Sequence, residues 1–392
     1  MVDSPLSLYS IPTMSDTTHD SRQWFAPIPE DRRRRFAASS QNGIHITLAA
    51  QSLVNFASND YLGLRNHPQL KEAAITAIQK DGMGSGASRL ISGDHPQLHQ
   101  LEHELAAWKG YESCLVVGSG MLANIGLIQA LADRHTHVFC DKLNHASLVD
   151  GVRLSGAKTH RFSHRDYNTL STLLEKNNAS KRIIVSDGVF SMDGDCADVA
   201  QLLSLTENHD TLLLLDDAHG IGCMGNNNRG LSSNIAGHGR LIEVGTFGKS
   251  FGGYGAFILG TNELIEGLKQ RLRTMIYSTA LPAAMPAAML ESLKLIQTGT
   301  LQKKLQDNVQ LFRKQTLTLK LIPSETAIQA LIIGSDYDAL EAAQTLRNAG
   351  FFVPAIRPPT VPEGTSRLRI TLSAAHSSEQ IEHLTTALKA LS

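Results

Sequence analysis

The stretch "EVGTFGKSFGGYGAF", Glu243 to Phe257, sets Lys249 in a glycine-rich run between two apolar segments. Its Gly248-Lys249-Ser250 matches the end of a nucleotide phosphate loop, G-x-x-x-x-G-K-[ST], in which successive backbone N–H groups wrap a polyphosphate. Counting back from Gly248, the position that must be glycine is Glu243. A carboxylate there repels the ligand, and the phosphate-loop reading fails. What the lysine does has to be read from its surroundings.

On either side of it lie "LIEVGTF" (241–247) and "GAFILG" (255–260), and upstream come "SCLVVG" (113–118), "THVFCD" (136–141), "RIIVSDG" (182–188) and "TLLLLDDAH" (211–219). Several of these runs have no polar alternation, the pattern of strands buried on both faces of a sheet. Helix-period segments at 121–134 and 166–177 separate them, so the fold class is α/β, a largely parallel sheet between helices. Beyond Gly260 the texture changes to helices at 262–273 and 283–315, a strand at 327–334, a helix at 338–349 and the alternating "SRLRITLSA" (366–374). The chain closes with "SSEQIEHLTTALKALS" (377–392), where Ser377 and Gln380 fit a capping box and Ile381, Leu384, Leu388 and Leu391 share one face. The predicted division is an N-terminal tail and arm (1–50), a large domain (51–290) and a smaller C-terminal α/β domain (291–392).

Bulk composition narrows the function classes. The 392 residues are 42% hydrophobic and 19% charged, with 36 basic against 37 acidic groups for a net charge of −1. That balance gives no electrostatic reason to expect nucleic acid or a membrane surface as partner. The basic run Arg32 to Arg35 reads as a solvated or interface segment, and Met1 to about Asp20 as a loose tail without a signal pattern. Cys114, Cys140, Cys196 and Cys223 form no C-x-x-C pair, which suits buried reduced thiols in a cytoplasmic protein.

Two further motifs compete for the lysine's company. "GSGMLA" (118–123) follows a strand and opens a helix as G-x-G-x-x-[GA], and Asp141 ends the next strand about 20 residues on, where an NAD(P) site places its ribose acid. Any phosphate bound at a helix N-terminus asks for the same small residues, and a tight turn alone explains the glycines equally well. "DDAHG" (216–220) puts Asp216 at the carboxyl edge of the sheet, and Lys249 follows another strand 33 residues later. A pyridine cofactor needs a carboxylate for its ring nitrogen, a lysine for a Schiff base and a helix N-terminus for its phosphate. Singly, a strand-end acid is usually a cap and a lone lysine is usually solvated. Their joint occurrence favours pyridoxal phosphate (PLP).

With these residues in hand, the chain resembles the α-oxoamine synthases, fold type I (aspartate aminotransferase-like) PLP enzymes that condense an amino acid with an acyl thioester and release CO2. The matching stretches are "NFASNDYLGL" (55–64), "GSGASRLISG" (84–93), "DKLNHASLVDG" (141–151), "SDGVFSMDGD" (186–195), "DDAHG", "TFGKSFGGYG" (246–255) and "IRPPTVPEGTSRLRITLSAAH" (356–376), and similarity runs from about Arg33 to Ala390. Within the family the chain is most similar to the branch that joins L-alanine to a pimeloyl thioester, on CoA or an acyl-carrier protein, in biotin synthesis. Arg357 of "AIRPPTVP" stands where 5-aminolevulinate synthases typically carry asparagine, and Ser88 where glycine-using relatives place threonine. One methyl is worth only ~1–3 kcal/mol of discrimination. The competing readings are a glycine-using relative (5-aminolevulinate synthase or 2-amino-3-ketobutyrate CoA ligase type), a PLP aminotransferase, an NAD(P) oxidoreductase and a catalytically silent subunit.

The resemblance also implies roles. Lys249 carries the cofactor and serves as general base, Asp216 pairs with the ring nitrogen, and His145 stacks on the ring and contacts substrate. His219 and Ser191 bond the phenolic oxygen, while Gly120, Met121 and Thr246 hold the phosphate. Arg369 is expected near the alanine carboxylate, with Arg33, Thr360, Arg357 and Ser88 as further substrate contacts and no metal. Met121 departs from the family's usual aromatic residue, and Asp187 from its usual glutamate. A homodimer with sites at the subunit junction is implied as well.

Overall fold

The computed structural model describes residues 28–29, 33 and 36–391, so the N-terminal tail and three residues of the basic run, Arg32, Arg34 and Arg35, lie outside the described residues. An N-terminal meander comes first, β1 (Ser39–Asn42), β2 (His45–Leu48) and β3 (Gln51–Asn55). The apolar runs then form β4 (Ser113–Val117), β5 (His137–Asp141), β7 (Arg182–Asp187), β8 (Leu212–Asp216), β9 (Leu241–Thr246) and β10 (Ala256–Gly260), with β6 (Lys158–Phe162) between β5 and β7. The last strands are β11 (Ile328–Gly334), β12 (Phe351–Phe352), β13 (Ala355–Ile356) and β14 (Ser366–Thr371).

Strands β4 to β10 make one seven-stranded sheet in the order β4-β10-β9-β8-β7-β5-β6. It is parallel from β6 to β9, and β10 runs antiparallel between β9 and β4. A three-stranded sheet, β11-β14-β13, serves the C-terminal part, and β12 adds to the N-terminal meander beside β3. Strand β6 escapes the sequence reading because it is an edge: it pairs only with β5, and of "KTHRF" only Phe162 is buried. Strands β1 to β3 escape it for the same lack of a continuous apolar run.

The parallel strands bring their carboxyl ends, Asp141, Asp187, Asp216 and Thr246, to one edge of the sheet. Two helices, Gly120–Leu131 and Ala146–Ser155, begin at that edge. They lie in close contact because Gly151 lacks a side chain: a Cβ there would stand 3.1 Å from the Asn124 carbonyl oxygen and 3.2 Å from the Ile125 Cα. Beneath the other end of β9, Glu243 is fully buried and paired with Lys109 at 2.6 Å, with Tyr111 and Ser232 hydroxyls donating to it. The residue that rules out a phosphate loop is therefore part of the core.

The final helix, Ser378–Lys389, carries the expected capping box, with the Ser377 amide on Gln380 Oε1 at 2.9 Å and the Gln380 amide on Ser377 Oγ at 3.2 Å. Ile381, Leu384 and Leu388 are buried beneath it. Residues 37–391 form one compact unit, to which the described residues 28–29, 33 and 36 do not belong. Residue 290 lies buried within the helix Ala284–Gln297, and we propose that the large and small lobes divide after that helix. No helix among the described residues is long and apolar enough to cross a membrane. All four cysteines are free, and Cys114, Cys140 and Cys223 are buried.

Candidate active site

At the carboxyl edge of the sheet a cavity of ≈ 210 Å³ is lined by Gly120, Met121, Asn124, His145, Ser147, Asp187, Asp216, Ala218, His219, Thr246 and Lys249. Asp216 is buried at its floor, accepting from Asn124 Nδ2 at 2.6 Å and from the Ala218 amide at 3.0 Å. Among the described residues no cation pairs with it directly. Its neighbour Asp217 turns the other way, as successive strand residues do. The Asp217 carboxyl accepts from the Leu231 amide at 2.8 Å, and a Cβ on Gly188, Gly220 or Gly230 would press within 2.7, 2.2 or 2.0 Å of its oxygens. The glycine of "DDAHG" thus serves the buried second acid, and the first faces the cavity.

Lys249 stands in the turn after β9, half-buried. Burial pushes its ammonium down to about 8, against the pull of Asp216 and Asp187 and with help from the charge of Arg369. The glycines that follow it pack against other parts of the protein. A Cβ on Gly252 would meet the Arg65 amide nitrogen at 2.4 Å, which makes that glycine a packing requirement, whereas one on Gly253 would press at 2.2 Å on the flexible end of Met289. Thr246 Oγ1 donates to the Gly255 carbonyl at 3.0 Å and accepts from the Gly248 amide at 3.2 Å, which shapes the turn.

His145 caps the helix Ala146–Ser155, its Nδ1 accepting from the Ser147 amide at 3.3 Å and lying 2.8 Å from Ser147 Oγ. Its backbone amide donates to Asp187 Oδ2 at 2.6 Å. Asp187 itself is buried, and burial together with nearby Asp216 holds its carboxyl well above the usual carboxylate range. At the helix Gly120–Leu131, Ser119 takes the Leu122 amide on its side chain (3.3 Å) and the Ala123 amide on its carbonyl (2.8 Å). The amides of Gly120 and Met121 are left at the helix start, where the peptide dipoles favour an anion.

Behind the cavity, His219 is buried and its Nδ1 lies 2.5 Å from the hydroxyl of Tyr61. Burial, then the charges of Lys249 and Arg369, push His219 well below its ordinary value, so the ring is neutral. Arg369 is buried too, donating to the Ser191 carbonyl (2.6 Å), Thr371 Oγ1 (3.1 Å) and Asn59 Oδ1 (3.2 Å). It does not line the first cavity. Ser191 and Thr360 line an adjoining cavity of ≈ 220 Å³ with Lys142, Leu143, Phe190, Met192 and Val361. Arg357 is half-buried in the turn before Thr360. Ser88 is outside the first cavity, capping the short helical turn Arg89–Gly93, and Arg33 is exposed in the separate N-terminal unit. Sequence reasoning missed Asn124, Ser147, Tyr61 and Asn59. Asn59 and Tyr61 stand within "NFASNDYLGL" and Ser147 within "DKLNHASLVDG", while Asn124 is a lone amide in an otherwise apolar helix start.

The geometry agrees with what the chain resembles. It matches the Aminotransferase class I and II family over residues 51–388. It is 47% identical over 363 residues, 91% of either chain, to the 8-amino-7-oxononanoate synthase of Saccharophagus degradans. The chain belongs to the 8-amino-7-oxononanoate synthase family. An 8-amino-7-oxononanoate synthase structure from Francisella tularensis superposes with a TM-score of 0.75 at 30% identity, covering 86% of this chain and 96% of that one. Serine palmitoyltransferase from S. paucimobilis, solved with bound PLP and myriocin, gives 0.87 at 26% identity and 91% coverage of both chains. Membership of this family makes the chain a PLP-dependent enzyme. The residues fit that cofactor: a buried carboxylate without a cationic partner suits a protonated ring nitrogen, a neutralisable lysine faces it, and free amides await a phosphate.

The dinucleotide reading fails on Asp141. Its carboxylate is buried and accepts from the Leu143 amide (2.8 Å), the Arg165 amide (2.8 Å) and His164 Nδ1 (3.1 Å), leaving nothing for a ribose. His164 in turn reaches Asp195 at 2.8 Å and meets the Phe190 ring edge-on. Burial opposes its charge, but the bonds to Asp141 and Asp195 win and raise it to about 9. A histidine raised above its ordinary value of about 6.5 stabilises the fold fully below that pH, and the effect is lost as pH rises through about 9. His164→Gln should therefore lower stability by about 1–2 kcal/mol near pH 6, a figure discounted for partial exposure. Urea midpoints of wild type and variant should converge by about pH 10; a gap that stays constant with pH contradicts the charged state.

Proposed function

We infer that this chain joins L-alanine to a pimeloyl thioester, carried by CoA or an acyl-carrier protein, with loss of CO2 to give 8-amino-7-oxononanoate for biotin synthesis. The observation that carries the reading is Lys249 and Asp216 facing one cavity in a chain of this family.

Bound PLP supplies an electron sink that stabilises negative charge at the substrate Cα. Asp216 keeps that sink effective by holding a positive charge at the ring nitrogen. Gly120 and Met121 would offer their amides to the phosphate end and Thr246 its hydroxyl once turned from the Gly255 carbonyl, while His219, and Ser191 from the adjoining cavity, would meet the phenolic oxygen. Lys249 anchors the cofactor and, as a neutral amine, takes the Cα proton and later returns one. His145, which lines the cavity, would stack on the ring face and meet the incoming amino acid. Arg369 has five N–H donors, three of them given to Ser191, Thr371 and Asn59, and its guanidinium would meet the alanine carboxylate. The adjoining cavity offers Leu143, Phe190, Met192 and Val361 to the methylenes of the acyl chain, with Thr360 at its rim. Arg357, in the turn before Thr360, completes the substrate side in this reading.

Ser88 and the exposed Met83, Leu90 and Ile91 around it are assigned to a homodimer junction, where Ser88 would face the partner's site beside alanine's methyl. Light scattering should give a dimer mass, and an active monomer would overturn this. The cytoplasm is the assigned compartment, on the reduced thiols. The test of the function is CO2 release and a product of the mass of 8-amino-7-oxononanoate when purified protein meets L-alanine and pimeloyl-CoA or pimeloyl-acyl-carrier protein. Release with glycine and another thioester alone would point to a sister activity. A keto acid formed without thioester would point to an aminotransferase.

A further inference from the structure

We propose that Tyr61 is a positioning residue that fixes the tautomer of His219, so that the ring nitrogen facing the cavity, Nε2, carries the proton. The proposal rests on the reading of His219 toward the cofactor's phenolic oxygen, but its structural part concerns the protein alone. Tyr61 is 1% exposed and His219 7% exposed, so neither side chain can turn to water for a partner. The phenol has one hydrogen and two acceptors in reach, His219 Nδ1 at 2.5 Å and Asn59 Oδ1 at 3.3 Å. Asn59 Oδ1 already accepts from Arg369 Nη2 at 3.2 Å.

The two choices have opposite consequences. A hydroxyl turned to Asn59 requires Nδ1 to be the donor, and Nε2 then presents a lone pair to the cavity. A hydroxyl turned to His219 makes Nδ1 the acceptor and leaves Nε2–H as a donor toward an anionic oxygen. Distance favours the second, because hydrogen bonds weaken steeply beyond about 3.2 Å. Chemistry favours it as well. Burial keeps the phenol protonated, while the Arg369 guanidinium acts on its oxygen in the opposite sense and sharpens it as a donor. The imidazole, crowded by Lys249 and Arg369, holds a single proton, so the choice at Nδ1 decides the state at Nε2.

Nitrogen-15 NMR of the full-length protein labelled at histidine tests this, with the His219 signals assigned by their loss in His219→Gln. Wild type, both with PLP and after its removal, should show an unprotonated Nδ1 and a protonated Nε2. In Tyr61→Phe the proton should spread over both nitrogens, the pH midpoint of the cofactor's visible absorbance should shift, and kcat should fall about 2- to 10-fold. KM for alanine should hold. A wild-type Nδ1 that carries the proton, or His219 signals unchanged in Tyr61→Phe, overturns the proposal. Because the tautomer is read without substrate, an inactive but correctly protonated protein would count against the inferred reaction and leave this assignment standing.

Discussion

Replacing Lys249 by alanine is expected to abolish turnover, by at least about 10⁴-fold, while the fold stays intact. General-base contributions alone run to about 10²–10⁴-fold, and the variant loses the cofactor's covalent anchor as well. The wild-type amine is suited to both tasks. Held at about 8 by burial, it is neutral in about half the molecules at pH 8, and a base whose pKa sits near the working pH transfers protons most effectively. The stability cost of truncation should be small, within about 1 kcal/mol, because the side chain is only half-buried and leaves behind a cavity already open. Turnover assays, thermal melts and mass spectrometry after borohydride reduction decide the matter together. Wild type should carry the cofactor's mass on the peptide containing residue 249, and the variant should carry none. Wild-type-like turnover from Lys249→Ala would remove the central assignment.

The second large effect belongs to Asp216→Asn. This change keeps the size of the side chain and its bond from the Ala218 amide and removes the charge, while its new NH2 meets Asn124, which has to turn its own Oδ1 toward it. Loss of a buried charge aimed at the reacting group costs about 10²–10³-fold in kcat. Folding should move the other way. A buried carboxylate without a cationic partner is expensive, so the protein stripped of its cofactor should be as stable as wild type or more stable, by about 1 kcal/mol. Asp216 also pulls the Lys249 amine upward, and without it that amine should titrate below about 8. The pH profile of chemical modification at Lys249 would show the displacement toward acid. A variant with unchanged kcat would dissociate Asp216 from the ring nitrogen, and a profile moved toward alkali would contradict the electrostatics.

Much of this architecture is local in origin and therefore legible along the chain. Six of the seven large-sheet strands announce themselves as apolar runs, several of them without polar alternation, since a strand buried on both faces has no polar side to show. The capping box at Ser377 and Gln380 is likewise contained within a few residues. Edge strand β6 and the N-terminal meander are silent because their pairing, and not their composition, makes them strands. The glycines after Lys249 are ambiguous along the chain for a related reason. A small residue says that something comes close, without saying whether it is a ligand or Arg65 and Met289.

Amino-acid order alone determined the α/β class, the lysine and acid at successive strand ends and the glycine-flanked helix start after β4, because each follows from spacing and periodicity within a single element. Tertiary structure decided which acid of "DDAH" faces the cavity, that Asn124 reaches Asp216 across 92 residues, and that Tyr61 meets His219 across 158. It also decided that Asn59 meets Arg369 across 310 residues and that Asp141 is consumed by His164. A hydrogen bond needs its partners within about 3 Å, and nothing in a chain's local pattern records which distant residue folding will bring that near.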